Sequence, residues 1–171
     1  MVHPASIEAE LKPALSVPGF IAEYPFDTTR AFISLLFNGS FERYPNIRWH
    51  FAHGGGTLPM LRPRLAAASA AAKELGPFLG LPEGSSTLTA DSAHVALADS
   101  FYDTALIADV PALTAVACVA APGHLLFGSD WPFAARMYAA GGDPQPALSE
   151  AFSAADVCVI ERVSALEQFE R

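Results

Sequence analysis

The chain holds two cysteines, Cys118 and Cys158, in 171 residues. Neither has a CxxC spacing or a neighbouring Cys/His cluster, which argues against a disulfide framework and a thiolate metal site. Two buried free thiols in a reduced, cytoplasmic setting are expected. Positive charge is also scarce, with ten Lys and Arg against eighteen acids and a formal charge of −8. The basic residues are scattered, and the closest pair is Arg62 and Arg64. Nucleic acid and anionic membrane surfaces are therefore poor partners, because both need clustered cations. No apolar run reaches the roughly 18 residues of a spanning helix. The start lacks the basic and then apolar pattern of a signal peptide.

What is present is apolar. Hydrophobic residues make up 51% of the chain and charged residues 16%. That composition gives one globular domain over residues 1–171 with a real core, and apolar surface to be covered by a partner. The length falls short of the roughly 250 residues of a complete eight-fold α/β barrel.

Short apolar runs that end in a ligand-type residue and a turn recur along the chain. Val2-His3-Pro4 reads as a strand stub. Ile7 to Leu15 is a short helix or an irregular loop. A helix starts at Asp27 or Thr28 as cap, and Asn38-Gly39 is a turn. Phe41 to Pro45 reads as a helical turn. Ile47 to Ala52 is a strand buried on both faces. Gly54, Gly55 and Gly56 release the chain into a helix over Leu58 to Leu75. Gly76 to Ser86 reads as a loop, an insertion over the barrel mouth. Ser100 to Asp103 is a strand, Val110 to Ala120 a helix and His124 to Gly128 a strand. Ala139 to Pro146 is a loop, followed by helices over Leu148 to Ala155 and Ala155 to Arg171. The alternation predicts parallel strands with crossover helices, about four βα units.

The chemistry sits at the strand ends. His53 precedes three glycines that leave its imidazole at a rim, suited to proton transfer or metal binding. The alternative is a histidine bonded to a backbone carbonyl. His50 alternates away from the inner face and reads as structural. Asp130 ends an apolar strand, where a carboxylate is costly unless paired or bound to a cation. It is a candidate metal ligand and proton relay, or else a helix cap or ion pair. Trp131 and Phe133 line a pocket beside it or pack in the core. His3 gains weight only from its strand-like setting. Arg64 suits bidentate grip of a carboxylate, or is an exposed helix residue. Tyr102 and Asp103 contact substrate or cap the next segment. His53-Gly54-Gly55-Gly56 also matches an esterase oxyanion-hole motif, but no G-x-S-x-G nucleophile elbow accompanies it.

These pieces, with Pro25-Phe26-Asp27-Thr28-Thr29-Arg30, Phe41-Glu42-Arg43-Tyr44-Pro45 and Gly128-Ser129-Asp130-Trp131-Pro132-Phe133, resemble the amidohydrolase-related family. That family includes aminocarboxymuconate-semialdehyde decarboxylase, other non-oxidative aromatic-acid decarboxylases and some lactonases. The resemblance implies a distorted (β/α)8 barrel with one divalent metal, usually zinc. It matches His3 and Asp130 to metal ligands on strands five and eight. It matches His53 to the histidine that activates the metal-bound water. It matches Arg64 to a substrate-carboxylate arginine that reaches a neighbouring subunit's site, so a homo-oligomer is implied. The family's His-x-His pair on strand one has no counterpart here. The expected fold is therefore the C-terminal half of a TIM-like barrel, lacking strands one to four, with an incomplete ligand set.

Three functions follow as expectations. The first is decarboxylation of a small carboxylated aromatic or muconate-type substrate. The second is hydrolysis of a lactone or amide at the same site. The third is a catalytically inactive half-barrel that acts through assembly, with itself or with a separately encoded N-terminal half. An upstream start that encodes the missing strands is a further expectation.

Overall fold

Tyr102 fixes the orientation of the sheet. It is wholly buried, and its hydroxyl donates to the Leu97 carbonyl at 2.7 Å. The computed structural model describes residues 1–3, 15–134 and 143–169. Strands β1 (His50–Phe51), β2 (Phe101–Asp103) and β3 (Leu125–Leu126) form a parallel sheet in the order β1-β2-β3. Val2 extends it by one parallel bridge to Phe51, with Val2 N–H donating to the His50 carbonyl at 2.6 Å. Four strand positions thus run side by side, as the alternation predicts. The paired segments are shorter than the apolar runs that contain them.

Helices separate the strands, so each crossover covers one face of the sheet. Helices α1 (Glu23–Phe37) and α2 (Ser40–Arg43) precede β1, and α3 (Leu58–Leu79) and α4 (Ala90–Asp99) lie between β1 and β2. Helix α5 (Val110–Ala117) leads to β3. Helices α6 (Ala147–Ala151), α7 (Ala154–Cys158) and α8 (Ser164–Phe169) follow, with one π turn at Val159–Val163. Phe51 and Tyr102 are register partners and face this helical layer. The Phe51 ring lies 5.1 Å from Phe32 of α1. Phe32, Leu58, Leu97 and Leu113 complete a core that is at most 1% exposed. Each such side chain contributes about 1.5–3 kcal/mol by leaving water.

Several expectations change. His50 lies on the face opposite Phe51, the inner face, where its imidazole meets Asp103 at 3.1 Å. Helix α1 starts at Glu23 without a side-chain cap, because its N-cap residue Ala22 has no acceptor, and it includes Pro25, which is tolerated in a first turn where free amides need no intrahelical partner. Asp27 instead pairs with Arg30 at 2.6 Å. Helix α3 continues past Leu75 and ends at Gly80, whose φ is +67°. The segment after it is not at the strand ends that carry His53. Gly84 packs on the Asn38 carbonyl at the far end of α1, and Thr87 donates to Glu42 of α2 just beyond it. Helix α4 has no counterpart among the expected elements, although Thr89 and Ser92 cap it reciprocally. The helix expected over Leu148 to Ala155 breaks at Phe152, where Ser153 caps α7. Cys118 and Cys158 are exposed free thiols, since both occupy outward positions at helix ends. The expected structures over Ile7 to Leu15 and Ala139 to Pro146 fall largely outside the described residues.

Gly56 joins the sheet to α1. Its φ is +67°, and a Cβ there would lie 2.1 Å from the Pro25 carbonyl oxygen. Gly80 has the same φ and open space around it. Gly56→Ala is expected to cost about 3 kcal/mol of stability and Gly80→Ala about 1 kcal/mol. Urea unfolding of both variants checks this. Equal costs would remove the Pro25 contact from the explanation.

Candidate metal centre

The site begins where β1 stops. Ala52 N–H donates to the Val2 carbonyl at 3.1 Å, and the chain then enters a tight turn at His53–Gly55. His53 itself has φ +55°. A Cβ at Gly55 would lie 2.7 Å from the Tyr102 ring, so the turn can press against β2 only with glycine there. The His53 N–H donates to Asp103 Oδ1 at 2.9 Å. Its ring is pinned at 5% residue exposure.

Asp130 is held from the other side. Gly128, after β3, donates its N–H to Thr104 Oγ1 at 3.1 Å and accepts from Gln145 Nε2 at 2.6 Å. A Cβ at Gly128 would lie 2.9 Å from Asp103 Cβ, so the strand end lies tight on β2. Asp130 follows with φ +51°, and its carbonyl accepts from Ala134 N–H. His3 follows the Val2 bridge.

These three strand ends converge. His3 Nε2 lies 3.7 Å from Asp130 Oδ1, and His53 Nε2 lies 3.8 Å from the same oxygen. The His3 and His53 rings meet edge to face at 5.2 Å. One ligand atom from each residue falls within 4.8 Å of the other two. Burial lowers the His53 pKa below its ordinary value, and His3 adds to this. Asp103 and Asp130 oppose the shift without cancelling it. The neutral imidazole, which is the ligating form, is therefore favoured.

The cluster opens into a cavity of about 540 Å³. Phe133 lines this cavity, together with Phe20, Tyr24, Leu106 and Ala134. Trp131 is 75% exposed and is not among the described lining residues. Arg64 is exposed on α3, also outside that wall. A second cavity of about 600 Å³ lies at the opposite end of the strands, beside Trp49 and Ser100, and holds none of the candidate residues.

The residue that sequence reasoning undervalued is Asp103. It is 7% exposed and accepts from His50 Nε2, His53 N–H and Ala105 N–H. It caps the segment after β2 and also fixes the backbone of His53. Thr104 and Gln145 were not singled out at all. Their signal is long-range pairing to Gly128, which no local pattern carries.

A model of the amidohydrolase family matches residues 1–157. The chain belongs to the amidohydrolase family. Among curated members, a 6-methylsalicylic acid decarboxylase of Penicillium expansum is 35% identical over 116 residues, covering 68% of this chain and 33% of that protein. One from Aspergillus aculeatus is 36% identical over 138 residues, covering 79% of this chain and 39% of its own. Among solved structures, a 5-carboxyvanillate decarboxylase of Novosphingobium aromaticivorans, complexed with manganese and 4-hydroxy-3-methoxy-5-nitrobenzoic acid, aligns with TM-score 0.76 at 19% identity. It covers 99% of this chain, which spans 47% of that one. The Metarhizium anisopliae IDCase aligns with TM-score 0.72 at 23% identity, with 99% and 48% covered. This amidohydrolase chain thus folds as part of a (β/α)8 barrel. It spans about half the length of these structures and less of its curated relatives.

Removing the Asp103 carboxylate strands three buried donors. Asp103→Ala is expected to destabilise the fold by about 3 kcal/mol or more. Asp103→Asn, which keeps one acceptor oxygen, is expected to cost less. Denaturant midpoints of the two variants check the order, and a neutral Asp103→Ala would remove Asp103 from its central role.

Proposed function

We propose that this chain supplies the metal-binding and proton-transfer side chains of a non-oxidative decarboxylase acting on a small hydroxylated aromatic acid. The observation that carries the reading is the convergence of His3, His53 and Asp130 at one end of a mainly apolar cavity. The 6-methylsalicylic acid decarboxylases at 35% and 36% identity support the substrate class.

The donor set fits a divalent ion. Donors on a four-coordinate ion with bonds near 2.1 Å lie about 3.4 Å apart, close to the 3.7 Å between His3 Nε2 and Asp130 Oδ1. An imidazole and a carboxylate suit zinc or manganese. In this reading His3 and Asp130 hold the ion, and His53 stands beside it. A bound divalent cation supplies Lewis-acid polarisation of substrate oxygens. His53 and Asp130 hold and deliver the proton that goes to the ring carbon bearing the carboxylate. The carbon–carbon bond then breaks, carbon dioxide leaves, and the released electron pair restores the aromatic ring. Phe133 and its apolar neighbours keep water from the ring. Trp131 adds to the rim. Lactone or amide hydrolysis would use the same side chains, but the relatives reported above favour decarboxylation. A homo-oligomer or a completing second chain belongs to this reading, as does a cytoplasmic setting, which two exposed free thiols fit.

Assembled with itself or with a completing second chain and loaded with manganese or zinc, the protein is expected to convert 6-methylsalicylate to 3-methylphenol and carbon dioxide. His3→Ala and Asp130→Asn are each expected to weaken metal binding by about tenfold or more, with His53→Ala reducing turnover more than metal affinity. Calorimetric metal titration and product chromatography read the two effects separately. Wild-type metal affinity in all three variants, or turnover that survives them, would sink the proposal.

Arg64 has a distinct test, because it stands outside the wall of its own chain's cavity. We propose that it grips the substrate carboxylate in a neighbouring copy. Arg64→Ala and His53→Ala are each expected to be inactive alone and to regain activity when mixed, since one hybrid site holds both native side chains. An active Arg64→Ala variant would return Arg64 to an ordinary surface role, and mixtures that stay inactive would overturn its action in a neighbouring copy.

A further inference from the structure

The turn after β2 carries a leucine where glycine is expected. Ile107 donates its N–H to the Thr104 carbonyl at 3.3 Å and closes a four-residue turn. The third residue of that turn, Leu106, has φ +56°. Glycine or asparagine fills such positions when nothing else constrains them, because a larger side chain crowds the backbone there. Leu106 lines the cavity that holds His3, His53 and Asp130. Phe20, Phe133 and Ala134 continue the same wall, and Tyr24 is the one further residue there with a polar group. No lysine or arginine is among the described lining residues.

We infer that Leu106 is a specificity-determining residue, which accepts an alkyl group on the substrate ring and rejects a second carboxylate in its place. The inference rests on the reading of this cavity as an aromatic-acid site. A methyl group against Leu106 and its apolar neighbours gains burial of hydrocarbon. A carboxylate in that position loses water and finds no cationic partner on the described wall. The unfavourable backbone is consistent with this role. A glycine would relieve the turn but would leave the ring's alkyl group without its contact, and strain of this kind persists where function uses it.

The test is calorimetric binding to the manganese-loaded chain. Three acids serve as probes: salicylate, 6-methylsalicylate, and 3-hydroxyphthalate, which carries a carboxylate in place of the methyl. Wild type is expected to bind 6-methylsalicylate about tenfold more tightly than salicylate, and 3-hydroxyphthalate more weakly than either. In Leu106→Gly and Leu106→Asn the methyl preference is expected to fall to about one, with salicylate affinity within about threefold of wild type. The thermal midpoints of both variants are expected to hold or rise, because both residues accept the turn. A wild type without methyl preference, or a preference that survives in a folded variant, would overturn the assignment to Leu106. Failure of all three acids to bind would overturn the aromatic-acid reading itself, and this inference with it.

Discussion

Asp103 brings three backbone paths to a common point. A carboxylate this deeply buried is tolerable only when donors surround it, and His50, His53 and Ala105 provide them. Two of the three come from β1 and the turn that follows it, and one from the turn after β2. The positions of His53 and of the Ala105–Leu106 turn are therefore set by one group. Asp130 joins the same frame indirectly, because Gly128 rests on Asp103 Cβ and bonds to the adjacent Thr104. Spacing among His3, His53 and Asp130 thus depends less on those three side chains than on what lies beneath them.

Conformational strain gathers at the same place. Four non-glycine residues among those described have left-handed φ, and three of them, His53, Leu106 and Asp130, line one cavity. Each conformation costs on the order of 1 kcal/mol or more. Such residues would relax in an isolated turn. Here the Asp103 hydrogen bonds, the Gly128 contacts and the packing of Gly55 on Tyr102 hold them. The rigidity required for convergence is supplied by buried polar bonds and glycine contacts rather than by long strands, which here are only two or three residues each.

The pattern of apolar runs and turns made the four parallel strand positions legible, because fully buried strands read as continuous hydrophobic segments. His3, His53 and Asp130 were legible for the same reason, as polar residues that end such segments. What escaped was long-range or two-faced. Helix α4 mixes alanine with Asp91 and His94, and its strongest mark is the Thr89–Ser92 cap rather than an apolar stripe. Helix α3 runs through Gly76 and Pro77, residues that normally stop a helix, because packing overrides local preference. The exposure of Cys118 and Cys158 depends on which side of a helix end faces solvent. The partners of Gly128 lie 17 and 24 residues away in sequence, on Gln145 and Thr104.

The pair His50 and His53 shows why alternation alone misled. Successive strand residues point to opposite faces, so His50 and Phe51 must diverge. Phe51 goes to the helical layer, and His50 goes inward to Asp103. Continued alternation would send Ala52 inward and His53 back among the helices, beside Phe51. The left-handed φ at His53 interrupts that sequence and turns the imidazole towards Asp130 instead. The three glycines that follow make the interruption possible, since a side chain at Gly54 would strike Ile107 and one at Gly55 would strike Tyr102. Two histidines three residues apart are thereby given different work. One imidazole is committed to the buried carboxylate, and the other stands at the cavity beside His3 and Asp130.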